Sequence, residues 1–202
     1  MYEQTITWVG DGMKRKREII ERWSTAISII IKVSRIFPKR FYLFLLRLIR
    51  NHDNYIAMFI RFICLKNCAK RCGNNVAIFS NVYLYGIHNL EIGDNVSIHP
   101  MCYINASGGI KIGNDVSIAH NTTIMSEEHI YSDINTNIKD QGCKYIETII
   151  EDNVWIGAGC RILAGSTIRS GSIIAAGAVV KGEVSKDTIV GGVPAKLIKE
   201  RK

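Results

Sequence analysis

The chain has 202 residues (22.7 kDa), with 26 Lys and Arg against 18 Asp and Glu for a formal charge of +8, a size that suits one domain or one domain with an appendage. The charge is uneven: residues 1–72 hold 15 basic and 5 acidic side chains, and residues 73–202 hold 11 and 13. No apolar run approaches the roughly 18 residues of a membrane span, no small-residue cleavage motif follows the first apolar run, and the basic residues alternate with Ile and Leu outside any nucleic-acid-binding motif. A spanning protein and a nucleic-acid partner are thereby excluded, and cytoplasmic residence is the expectation.

The N-terminal third opens irregularly (Met1 to Gly12), passes through "KRKR" at Lys14 to Arg17, and continues with "AISIIIKV" and "FYLFLLRLIR". Apolar runs broken every few residues by Lys or Arg predict a basic, amphipathic helical segment over residues 1–72. Such a segment has two uses: covering the end of the domain that follows, or lying through residues 14–72 on an anionic membrane surface at the inner face of the membrane. Cys64, Cys68 and Cys72 share one face of a helix, yet no His or carboxylate follows at ligand spacing. They read as packing residues, and no metal is expected.

From residue 73 the pattern changes. Ile or Leu stands at 78 and 84, at 92, 98 and 104, at 112, 118 and 124, and at 150, 156, 162, 168 and 174, with Val180 continuing the series. A period of six suits neither a helix nor a half-buried strand. Four residues after most anchors comes a second small or branched residue, as at Val96, Cys102, Val116, Thr122, Val154 and Cys160. Self-similarity at this period predicts an all-β solenoid: a parallel β-helix in which each unit makes one short strand and one turn, and three units make a coil. Gly and Asn in "IGDN", "IGND" and "EDN" suit the corner dihedrals. The two-residue offsets from Leu84 to Ile92 and from Ile104 to Ile112 then fall once per coil, as bulges at one corner. A sandwich would also show short strands and Gly-rich turns, but has no reason to hold phase six.

Between Ile124 and Ile150 the repeat stops, and residues 125–148 form an excursion that includes His129. Long insertions into a solenoid map to one surface, where loops carry chemistry. From the residues alone, His129 is either a solvated loop histidine or a proton acceptor; a near-neutral imidazole suits both.

The units "IGDNVSI", "IGNDVSIAHNTTI" and "DNVWIGAGCRILAGSTI", with the ending "GGVPAKLIKE", resemble the left-handed β-helix hexapeptide-repeat acyltransferases, most nearly the sugar and polysaccharide O-acetyltransferases of the galactoside, maltose and xenobiotic type. The resemblance covers about residues 74–199. It implies a left-handed coil, a homotrimer, acetyl-CoA as co-substrate, and direct attack by an acceptor hydroxyl with His129 as general base. Glu127, Glu128 and Asp133 are the candidates to orient its ring. The resemblance further implies Asn105 and His120 at the acceptor, Trp155 as an aromatic wall of the cleft, and Ala158, Ala176, Gly177, Lys181 and Lys199 along the coenzyme. Alternation between Val154 and Ile156 independently points Trp155 outward.

Two other readings remain at this point: N-acetylation of an amino sugar or small amine by the same coils, and a non-catalytic β-helix binding module. Cys143 is a competing nucleophile, a loop thiol able in principle to form an acyl-enzyme, although spacing alone assigns it no histidine.

Overall fold

The computed structural model of the chain describes residues 24–202. The "KRKR" run and the rest of residues 1–23 lie outside the described residues, and so does that part of the expected membrane-facing segment. The chain divides into two compact units, Met1–Pro38 and Lys39–Lys202. The described part of the first is helix α1 (Ser24–Ser34), with Lys32 in its last turn, where a cation meets the negative end of the helix dipole. No described helix is long and apolar enough to cross a membrane.

The second unit starts with two helices, α2 (Lys39–Leu48) and α3 (Tyr55–Cys68). Asn54 caps α3 by accepting a hydrogen bond from the Ala57 amide at 2.8 Å, which satisfies one of the orphan N–H groups of the first turn. The buried side of α3 carries Cys64, Leu65 and Cys68, none more than 2% exposed, and the helix packs on the first coil. Burial pushes the Cys64 thiol up to about 12, as expected of a small apolar filler.

From Arg71 the chain winds into short parallel strands arranged as three sheets, one per face of a triangular prism. Face A runs through Arg71–Cys72, Leu90–Ile92, Ile110–Ile112, Thr148–Ile150, Thr167–Ile168 and Glu183–Val184; face B from Ala77–Ile78 to Thr188–Gly191; face C from Tyr83–Tyr85 to Val179–Val180. The period-six residues are the inward ladders. Ile78, Ile98, Ile118, Ile156 and Ile174 stack on face B, and Leu84, Ile104, Ile124, Ile162 and Val180 on face C. Ile98, Ile104, Ile118, Ile124, Ile156 and Ile162 are fully buried, each contributing roughly 1.5–3 kcal/mol by burial.

The small second positions fill the corners. Cys102 and Cys160 are fully buried with thiols raised by desolvation, and the Thr122 hydroxyl donates to the Gly157 carbonyl at 3.1 Å. The corners need left-handed backbone. Asn95, Asp115 and Asn153 take φ of 58°, 56° and 57° between faces A and B, and Gly159 and Gly177 take 70° and 73° between B and C. Asn and Asp tolerate this region through local hydrogen bonding, and Gly has no Cβ to clash.

Register gives the coil length. Tyr83 pairs with Tyr103 and Tyr103 with Thr123, a step of twenty; Trp155 pairs with Ile173, a step of eighteen; Thr167 pairs with Glu183, a step of sixteen. All the variation lies at the edge joining face C to face A. There the offsets after Leu84 and Ile104 sit, there the 125–148 excursion leaves the coil, and there Val180 reaches Val184 in four residues.

Candidate functional site

The excursion is anchored by a two-stranded antiparallel hairpin, Glu127–His129 against Cys143–Tyr145, in which His129 lies directly opposite Cys143. Its tip is a self-contained knot: Asp133 accepts from the Asn135 amide at 2.9 Å and the Thr136 hydroxyl at 2.6 Å, and the Gln141 side chain donates to the Asp133 and Thr136 carbonyls, both at 2.8 Å. Those contacts hold the Asp133 carboxyl below its usual range, the Thr136 hydroxyl contributing most.

His129 is exposed on this hairpin. Its Nδ1 lies 3.6 Å from Cys143 Sγ. None of the three carboxylates considered as its orienting partner is on the ring. Glu127 accepts from Asn105 Nδ2 at 2.6 Å, Glu128 pairs with Lys144, and Asp133 belongs to the loop tip. Cys143, which sequence spacing left without a histidine, thus has one across the hairpin. Antiparallel pairing of the loop's two ends was the missing signal.

Asn105 ends its face C strand at the same edge, 6% exposed. Its Oδ1 accepts from the Ser107 amide at 3.0 Å and hydroxyl at 2.6 Å, while its Nδ2 holds Glu127. The side chain thereby ties the coil to the root of the hairpin. Above and beside it, Tyr83, Tyr85 and Tyr103 form an outward aromatic face, with the Tyr85 and Tyr103 rings 5.2 Å apart and the Arg50 guanidinium 4.2 Å from the Tyr83 ring centre. The twenty-residue spacing of Tyr83 and Tyr103 carried that signal in the sequence.

Lys181 follows the last face C strand at this same edge, near enough to Glu128 to help hold its carboxyl low, behind the larger contribution of Lys144. The other predicted site residues lie elsewhere on the prism. His120, Ala158 and Ala176 stack at the B–C edge, where the Gly159 amide donates to the His120 carbonyl at 3.0 Å and the Gly177 amide to the Ala158 carbonyl at 2.8 Å. His120 and Gly177 are exposed there, and a Cβ built on Gly159 or Gly177 would meet nothing within 4 Å, so this edge is an open shelf. Trp155 projects from face B, 53% exposed while Ile156 beside it is buried. Lys199 lies on the C-terminal strand Lys196–Glu200, which closes face B antiparallel to Thr188–Gly191 and pairs Lys199 with Ile189.

In one copy, therefore, the edge with His129 and Lys181 stands opposite the face with Trp155. A prism cannot bring its edge to its opposite face.

Residues 147–182 match the family model described as bacterial transferase hexapeptide (six repeats). A hexapeptide-repeat-containing acetyltransferase of Vibrio cholerae superposes with a TM-score of 0.72 at 25% identity, covering 85% of this chain and 93% of that one. Residues 147–182 thus carry the repeat of that family model, and the coils resemble those of a solved hexapeptide-repeat acetyltransferase. The Vibrio protein has also been solved in complex with acetyl coenzyme A. A maltose O-acetyltransferase of Clostridium difficile aligns over 81% of this chain and 86% of its own at 28% identity, with a TM-score of 0.69. A probable acetyltransferase of Mycobacterium tuberculosis is 35% identical over 74 residues, 37% of this chain and 25% of that relative's length.

Proposed function

We propose that this chain is an acetyl-CoA-dependent O-acetyltransferase acting on a hydroxyl of a sugar or cell-surface polysaccharide precursor, with His129 as general base. The observation that carries the reading is the exposed His129, set on a hairpin at the long interruption of the coils. The Vibrio complex with acetyl coenzyme A and the maltose O-acetyltransferase support the donor and the acceptor class.

In this reading the acceptor oxygen attacks the thioester carbonyl as His129 Nε2 takes its proton. The tetrahedral intermediate collapses with cleavage of the C–S bond, and the imidazolium returns the proton to the departing thiolate. An alcohol is a weak nucleophile until its proton is being removed, and a positioned base is worth about 10²–10⁴ in rate. The B–C shelf of Ala158, Ala176 and Gly177 gives an extended pantetheine chain room without side chains in the way, and Lys181 and Lys199 supply cations for the phosphates.

Because the His129 edge and the Trp155 face are opposed within one copy, the working form in this proposal is a homotrimer, each groove lying between the base edge of one copy and the shelf of the next. Helices α2 and α3 serve as the cap of the first coil. Phe44, Arg47 and Leu48 on α2 are exposed and supply peripheral contact with an anionic membrane from the cytoplasmic side.

The deciding experiment measures cleavage of acetyl-CoA with maltose, other oligosaccharides and nucleotide sugars as acceptor probes. His129→Ala should lose at least a hundredfold in rate while acetyl-CoA binding is retained, and His120→Ala should lose about tenfold or less. If His129→Ala keeps more than about a tenth of the rate while His120→Ala is inactive, the base has been misassigned. If no acceptor is turned over and acetyl-CoA does not bind, the transferase reading fails.

A further inference from the structure

We infer that Cys143 is the residue that positions the His129 ring, its sulfur accepting the Nδ1 proton so that Nε2 is left bare for the substrate. The inference rests on His129 acting as base; it concerns what holds the ring.

A histidine that takes a proton from a hydroxyl must present an unprotonated nitrogen, and the neutral imidazole has only one. Which nitrogen is bare depends on the partner of the other. Here the partner at Nδ1 is Cys143 Sγ at 3.6 Å, a distance suited to a hydrogen bond to the larger sulfur atom. The two residues are held face to face because they are directly opposed in the hairpin register. Cross-strand pairs of this kind lie within side-chain reach by construction.

The remaining groups around the pair are engaged with one another. Glu128 and Lys144, one step along each strand, form an ion pair and by alternation lie on the other side of the hairpin from His129 and Cys143. Lys181 adds its charge to Glu128 on that side. Glu127, opposite Tyr145, is held by Asn105, and Asp133 by the loop tip. Tyr131 lies close enough to Lys144 to interact with it electrostatically. The task that a carboxylate performs in a Ser-His-Asp arrangement is here left to a thiol.

The geometry also separates this role from that of a nucleophile. A thiol attacking the thioester would hand its proton to Nδ1, putting the mobile proton on the wrong side of the ring for the acceptor. In the positioning role the Nδ1 proton stays in place. Only the hydroxyl proton moves, onto Nε2 and then to the departing coenzyme thiolate, and sulfur gains and loses no bond.

Two measurements test this on the full-length chain. Long-range ¹H–¹⁵N correlation of the imidazoles, with the His129 signals assigned by their loss in His129→Ala, reports the tautomer without any substrate. The Nδ1–H form is expected in the wild type and in Cys143→Ser, reverting to Nε2–H in Cys143→Ala. In steady-state kinetics, Cys143→Ala should lower kcat roughly 10–100-fold, the scale of losing a partner that orients a functional histidine. KM for acetyl-CoA should be unchanged, and Cys143→Ser should restore most of the rate. An Nε2–H tautomer in the wild type, or one indifferent to Cys143→Ala, overturns the inference. So does acetate trapped on Cys143 as a thioester, which would make it the nucleophile. A His129→Ala variant that keeps its rate would instead overturn the base reading, and the tautomer result would still stand on its own.

Discussion

Arg61 and Ile78 join the helices to the solenoid: the buried guanidinium donates through Nε to the Ile78 carbonyl at 2.8 Å. The contact answers a polarity in the coils. On face B the Phe79 amide donates to Ile98, His99 to Ile118, Ala119 to Ile156, Gly157 to Ile174 and Ala175 to Val190, so every coil's carbonyls are served by the coil before it. The first coil has no predecessor. Its Ile78 carbonyl would be an open sheet edge, and Arg61 fills it, while Nη1 of the same side chain gathers the Ile49 and His52 carbonyls at 2.9 and 3.0 Å.

Replacing Arg61 with Met keeps the stem and removes the donors. An orphaned buried acceptor costs about 1–3 kcal/mol, so Arg61→Met should lower stability by about 3 kcal/mol. A urea titration should show an earlier midpoint with an unchanged slope. A shift equivalent to less than about 0.5 kcal/mol would mean that water serves these carbonyls as well as arginine does.

The inward ladders should be far less tolerant than the residues beside them. Ile118 is fully buried between Ile98 and Ile156, and Ile118→Ala should cost about 2–5 kcal/mol by cavity formation. Ser117, its outward neighbour, should change stability by no more than about 0.5 kcal/mol on substitution with Ala. Thermal unfolding of the two variants gives the comparison directly.

If the groove lies between copies, two impaired variants should rescue one another. His129→Ala and Trp155→Ala, unfolded and refolded together, should recover about a quarter of wild-type activity from mixed assemblies, because some grooves then combine an intact edge with an intact face. No recovery, despite mixed trimers seen by native mass spectrometry, would place both residues in one copy's site.

Acid should loosen the coils through their surface ion pairs. Glu151 is held below its usual range mainly by Arg169 and then by the Ser170 amide, and Glu91 chiefly by Lys70. A carboxylate depressed in the folded state contributes stability above its unfolded value, near 4.3, and that contribution fades as pH falls through the lower folded value. Stability measured between pH 7 and pH 3 should therefore decline below about pH 4, and Arg169→Ala should flatten the decline. An identical acid profile in the variant would show that the pair carries no linkage.

The coil was legible because its signal is periodic. An inward residue every sixth position, Gly, Asn or Asp at left-handed corners, and the outward Trp155 between Val154 and Ile156 follow from local chemistry repeated along the chain. His129 stood out because the period failed around it. The partners of His129 were not legible: the Cys143 contact depends on the two ends of a long loop pairing antiparallel, and the Asn105–Glu127 bond spans a coil boundary. Neither leaves a period. The separation of Trp155 from His129 likewise follows from which face each unit occupies, something visible only once the strands are assigned to sheets.

The variable C–A edge has a consequence for how such a protein changes. Connections of different length there leave all three ladders in register, since each strand still lands on the one beneath it. Insertions at this edge are thus nearly silent to the fold, and the two bulges preceding the hairpin, after Leu84 and Ile104, are further sites where a segment could be spliced in. Loops along this single seam can be exchanged one for another while the core that builds the molecule is inherited untouched.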